Sequence, residues 1–166
     1  MRSRTVPQVD VLAAQNFSFW CFKTRAEVVN YFKTACENLG EKGVMVMDMM
    51  GGKECYASDV TDKRTIIKGK EGFKYHWEQA YFNPVTADCS FFIHFKFGDG
   101  SMIRKAFEYH WRFWTIPEVR EMLAEAGFSI SKVYWDLADE DEDADWQAVD
   151  EAPNDDSWLC YVVGIK

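Results

Sequence analysis

The chain has 166 residues, 48% hydrophobic and 16% aromatic, enough to bury one sizeable core within the usual length of a single domain, so one domain over 1–166 is expected. Its net charge of -8 excludes a surface built to track a nucleic-acid backbone, which depends on Lys and Arg neutralising phosphates. Small molecules or proteins are the expected partners.

The five cysteines, Cys21, Cys36, Cys55, Cys89 and Cys160, include no C-x-x-C pair, and an odd number cannot all pair within one chain; reduced, buried thiols of a cytoplasmic protein are expected. The first ten residues have no apolar stretch behind Arg2 and Arg4, so they do not read as a secretion signal. No run approaches the ~18 apolar residues that span a bilayer.

In chain order, 9–14 (VDVLAA) is apolar apart from Asp10, which predicts a strand of a parallel sheet buried on both faces. Gln15, Asn16, Phe17 and Ser18 lie at its carboxyl end. Thr24 and Glu27 form a capping box for the helix that follows. There Val28, Tyr31, Phe32, Ala35, Cys36 and Leu39 recur at three- and four-residue steps, and Gly40 and Gly43 are read as its end. The run 44–50 (VMVMDMM) predicts a second apolar strand, closed by Gly51-Gly52. Strand, helix and strand make a βαβ unit.

From 73 to 114 the residues are rich in aromatics and alternate with period two. Asn83-Pro84 and Gly98-Asp99-Gly100 break the run, which predicts three antiparallel strands over 73–83, 86–97 and 101–114. With Asp99-Gly100 as a two-residue loop, His94 pairs with Lys105 and Phe92 with Phe107. One face then carries Tyr75, Trp77, Phe92, Phe107, Tyr109 and Trp111, either as core or as a lining for an apolar substrate. In this register Glu78 and Glu108 flank Phe91, His110 faces Cys89 and His76 faces Ile93. That spreads the four acid and imidazole groups around a ring, so a solvated face is expected and no metal site is assigned.

Thr115 and Glu118 predict a second capping box, with Pro117 in the first turn. Val119, Met122, Leu123 and Ala126 form the apolar stripe and Gly127 the stop. A strand over 128–135, an acidic loop over 136–156 that includes Asp139 to Asp143, and a closing strand over 158–165 complete the chain.

Three stretches carry a family likeness: Asn16-Phe17-Ser18 leading to Phe22-Lys23-Thr24-Arg25; Leu39-Gly40-Glu41-Lys42-Gly43-Val44 leading to Asp48-Met49-Met50-Gly51-Gly52; and Arg112-Phe113-Trp114-Thr115 followed by Glu125-Ala126-Gly127-Phe128. In this order they resemble the C-terminal half of a class I S-adenosylmethionine-dependent methyltransferase. The resemblance implies an α/β fold: a partial Rossmann-like sheet, family strands four to seven, with a three-stranded antiparallel insertion at 73–114. It implies S-adenosylmethionine as cofactor and a small-molecule substrate. Gln15, Asn16, Phe17 and Ser18 would border the cofactor, as the rule that ligands bind at the carboxyl ends of parallel strands also suggests. Tyr109, His110, Arg112 and Trp114 would border the substrate. No residue is assigned as the catalytic base.

The sequence departs from the family in lacking a G-x-G-x-x-G turn, and the helix after the first strand ends without the family's proline. The chain is therefore expected to be incomplete as a cofactor binder on its own, whether through a late reading start, a truncated gene product or a partner that supplies the missing strands. In each case the 9–14 strand exposes an apolar edge that invites pairing, so a homodimer or a partner subunit is expected. Two alternatives stand: a non-catalytic subunit that pairs through that edge with a methyltransferase-like partner, and an unrelated α+β domain using the aromatic sheet as a pocket.

Overall fold

A computed structural model of the chain describes residues 7–68, 71–138 and 143–166; four residues of the acidic run, Asp139, Glu140, Asp141 and Glu142, lie outside them. The chain divides into two compact units, Met1–Cys55 with Trp114–Lys166, and Tyr56–Phe113.

The first unit is built on β1 (Val9–Ala14), α1 (Arg25–Asn38) and β2 (Leu39–Gly51). β1 and β2 run parallel, with Val11 opposite Val44 and Ala14 opposite Met47. Both halves of the Thr24–Glu27 capping box form, so the amides of the first turn of α1 are satisfied. Val28, Val29, Phe32, Ala35 and Cys36 make its buried face. The helix stops at Asn38 and β2 begins at once. Gly40 and Gly43, read as the helix end, lie inside the strand, where Gly43 lets the chain pass close to Leu39.

β2 is the core strand: Met45, Met47 and Met49 are inaccessible to solvent. It pairs on its other side with β9 (Trp158–Ile165), antiparallel. β9 in turn pairs with β7 (Ile130–Asp136), and β7 with β8 (Trp146–Val149), giving the order β1-β2-β9-β7-β8. β8 lies within the segment expected to be an acidic loop; Trp146 tilts against Tyr161 at 4.6 Å, which gives that strand an apolar anchor. α2 (Ile116–Glu125) has the expected Thr115–Glu118 capping box and buries Val119, Met122 and Leu123. Gly127, at φ 103°, ends it in the left-handed region that suits glycine.

The second unit is a four-stranded antiparallel sheet in the order β3-β4-β5-β6. β4 (Glu71–Phe82), β5 (Asp88–Phe97) and β6 (Met102–Arg112) are the strands expected from the aromatic alternation. β3 (Val60–Lys68) is a fourth, so the three-stranded insertion is corrected to four. Its sequence, VTDKRTIIK, puts charges on both faces, as an edge strand tolerates, and so hides the period-two apolar signal.

The expected register of β5 against β6 is also corrected. The loop has three residues, not two: the Phe97 N–H donates to the Ser101 carbonyl at 2.9 Å, and Gly100, at φ 88°, supplies the left-handed residue that such a loop requires. A bulge then sets Arg104, Lys105 and Ala106 against His94 alone, so Phe92 faces Glu108 and Ile93 faces Phe107. A slip of one residue exchanges faces. The aromatic face therefore holds Tyr75, Trp77, Phe91, Phe95, Phe107, Tyr109 and Trp111, with Trp77 stacked on Phe91 at 5.1 Å. Phe92 moves to the opposite, polar face, where Glu78 and Glu108 flank it, His110 faces Ser90 and His76 faces His94.

Candidate functional site

Asp48 is the one charged residue in the apolar run of β2, and the residue is 8% exposed. It accepts the amide N–H groups of Asn16 at 2.8 Å and Phe17 at 2.9 Å, across the parallel β1–β2 pair. Asn16 and Phe17 sit at φ 58° and 51°, a conformation that costs a residue with a side chain free energy and persists where the surroundings over-determine it. Here Asp48 provides that constraint. The chain then makes a short turn over Ser18–Cys21, anchored by the buried Phe19 and Trp20.

This places Gln15, Asn16, Phe17 and Ser18 together at the carboxyl end of β1. Gln15, Asn16 and Ser18 are exposed and Phe17 is half-buried against Trp20, ring centres 5.3 Å apart. The Asn16 and Phe17 amides are engaged by Asp48, which leaves the side chains to meet a ligand. Beside the turn, at the carboxyl end of β2, Gly51 passes under the Trp158 ring and Gly52, at φ 99°, passes close to the backbone of Asp155 and Asp156. Asp48 was not singled out by sequence reasoning, although a lone carboxylate in VMVMDMM was the available signal.

The other four candidates do not share one surface. Tyr109 lies on the aromatic face, 4.5 Å from Trp111 and 6.1 Å from Trp77 by ring centres. His110 and Arg112, one position to either side of the aromatic-face residues, belong to the opposite face of β6. The Nδ1 of His110 lies 3.0 Å from the Ser90 hydroxyl and its Nε2 3.8 Å from Glu108. Trp114 belongs to the first unit and is 3% exposed. On the polar face the Nδ1 of His94 accepts the Lys105 amide at 3.0 Å, so the proton sits on Nε2, which donates to Glu78 at 2.7 Å. Among the described residues no three His, Cys, Asp or Glu side chains converge as metal ligands do, and no helix is long and apolar enough to cross a membrane.

Comparison with solved structures defines the class of fold: that of S-adenosylmethionine-dependent methyltransferases, with a Rossmann-like partial sheet. In particular, the chain is similar to the CcbJ methyltransferase of Streptomyces caelestis, at 14% identity and a TM-score of 0.67, over 98% of this chain and 59% of that one. It is similar to an S-adenosylmethionine-dependent methyltransferase of Clostridium acetobutylicum at 15% identity and a TM-score of 0.63, covering 98% and 61%. A third likeness is to an amino pentose methyltransferase of Micromonospora echinaspora, at 11% identity and a TM-score of 0.64, covering 98% and 61%. The chain thus spans about three-fifths of the length of the structures it matches. No protein-family model and no curated protein sequence matches it.

Proposed function

We propose that this chain is part of an S-adenosylmethionine-dependent methyltransferase acting on a small molecule, and that it binds the cofactor fully only together with further polypeptide. The observation that carries the reading is the turn at Gln15–Ser18, held by Asp48 at the carboxyl end of a parallel strand, where open α/β sheets receive ligands. The fold likeness supports it.

The residues fit one end of the cofactor. Exposed side chains of Gln15, Asn16 and Ser18 offer neutral donors and acceptors suited to the amino and carboxylate groups of a methionine moiety. Asp48 is buried and turned to the Asn16 and Phe17 amides, so it does not stand out to take a pair of ribose hydroxyls, and no G-x-G-x-x-G turn exists in the sequence. Bound S-adenosylmethionine would supply a methyl group on a good leaving group, so the protein's contribution is chiefly in-line placement of the acceptor. A substrate role for Tyr109, His110, Arg112 and Trp114 rests on the family likeness; within the second unit Tyr109 belongs to the aromatic face and His110 and Arg112 to the opposite one.

β1 is an edge strand, and Val9 and Val11 on it are 42% and 61% exposed. We place the remaining cofactor-binding strands along that edge, in the same polypeptide or in a partner subunit, since an unpaired apolar edge recruits a strand.

The test is ligand-observed NMR with S-adenosylhomocysteine on the purified chain. The expected result is weak binding, on the order of millimolar, that is lost in Asn16→Ala/Ser18→Ala. A ligand signal unaffected by the chain, or equally affected by the double variant, would overturn the assignment of this turn.

A further inference from the structure

The polar face of the four-stranded sheet breaks a rule of sheet construction. Lys74 of β4 stands directly opposite Lys96 of β5, and in the adjacent row Lys63 of β3 stands opposite His76, which stands opposite His94. Like charges directly opposed across strands destabilise a sheet, their Cβ atoms being about 5 Å apart, and the diagonal Lys63 is within reach of the same point.

The nearby carboxylates are not ion-paired with the lysines of this group. Glu78 is hydrogen-bonded to His94 and Glu108 lies by His110. Among the described residues Lys63, Lys74 and Lys96 have no ion-pair partner. Lys105 lies over the Phe92 ring at 3.9 Å. The Nε2 of His76, in the middle of the group, is shielded from solvent without a hydrogen-bond partner. A buried polar atom without a partner and a cluster of ammonium groups without an ion pair among the described residues are both suited to an added anion.

The charge is local to this unit. Tyr56–Phe113 carries nine Lys and Arg against seven Asp and Glu, whereas the rest of the chain carries ten against twenty.

We propose that Lys63, Lys74 and Lys96, gathered around His76, form a binding site for a phosphate group, either free phosphate or a phosphate ester of a small molecule. A phosphate offers several charged oxygens in a tetrahedral arrangement, enough for three ammonium groups and the imidazole N–H together; a carboxylate has two oxygens and one charge. The site is independent of the methyl-transfer reading and lies on the face of this sheet opposite Tyr109.

The experiment is a calorimetric titration of the full chain with inorganic phosphate and, separately, with glycerol 3-phosphate, against sodium chloride at matched ionic strength. Binding of phosphate beyond the chloride control is expected, tighter for the ester if the natural ligand is an organic phosphate. Lys74→Gln and Lys96→Gln should each weaken it by about fivefold or more, charge-assisted contacts being the strong ones. Lys42→Gln, in the other unit, should leave it unchanged. Because the double variant Lys74→Gln/Lys96→Gln relieves a like-charge pair, the unliganded protein should melt no lower than the parent. The proposal is overturned if phosphate does no more than chloride, if the double variant binds as well as the parent, or if it melts well below the parent without ligand.

Discussion

The carboxylate of Asp48 holds the backbone of Asn16 in the left-handed region by accepting its amide N–H at 2.8 Å. Thirty-two positions separate the two residues, so one side chain in the core strand sets the shape of the turn on which the functional proposal rests. Asp48→Ala removes this acceptor and the one for Phe17, and hydrogen bonds to charged groups are each worth about 1.5–3 kcal/mol. The expected loss is about 2–4 kcal/mol of unfolding free energy, measured by urea denaturation. Asp48→Asn, which keeps one acceptor oxygen, should lose less; a loss equal to that of the alanine variant would show that the charge matters more than the amides.

A methyl group on Gly51 would lie 2.1 Å from the Trp158 ring. Gly51→Ala therefore forces the indole or strand β2 to move, and such overpacking costs about 1–3 kcal/mol. Thermal unfolding should show a lowered midpoint, partly restored in Gly51→Ala/Trp158→Leu. Additive losses in the double variant would mean that the clash is not with the indole.

All five cysteines are free thiols; Cys21 alone is exposed. At neutral pH one thiol should react quickly with a water-soluble disulfide reagent, and the signal should vanish in Cys21→Ser. Burial pushes the Cys55 thiol up to about 11, and burial, with the neighbouring Asp48 adding to it, pushes Cys160 up to about 12. Well below the ordinary thiol value of 9.0 both thiols are neutral whether the chain is folded or not. As pH rises through that value, the unfolded chain loses protons that the folded chain keeps, so stability begins to fall about one unit below it and goes on falling toward the folded values. The decline, followed by denaturant midpoints, should be shallower in Cys160→Ala.

Desolvation first, and then the charges of Lys63, His94, Lys74 and Lys96, hold the His76 imidazole below its usual value of 6.5. The unfolded chain therefore takes up this proton more readily than the folded one. Stability from this group is present above pH 6.5 and is lost as pH falls toward the folded value. His76→Gln should flatten that part of the pH profile; an unchanged slope would mean that another group governs it.

What was legible in the sequence was local. The capping boxes at Thr24–Glu27 and Thr115–Glu118 and the apolar run of β2 carry their signals within a few residues, and the structure has both boxes in place; the run of β1 marked a parallel strand, but its expected burial on both faces is corrected, since at the sheet edge only Ala14 of β1 is buried. The segment Val60–Lys68 was not legible as a strand, since its charges mask the alternation. Nor was the β5–β6 register, because the extra residues at Arg104–Ala106 and the three-residue loop move it in ways that a count of alternation does not detect. Gln15 to Ser18 were found from their place after a strand. Asp48, which shapes them, acts through pairing of distant segments, and its only trace in the sequence is a charge where none is expected.

The sheet order has a consequence for how the chain assembles. β9 follows both β7 and β8 in the chain, yet it sits between β2 and β7. The second unit is contiguous and can form its ladder as soon as β6 emerges. The five-stranded sheet cannot join its two halves until β9 is inserted between them. Until then the Met-rich flank of β2 is open, and a chain stalled short of Trp158 would expose an apolar strand available for aggregation.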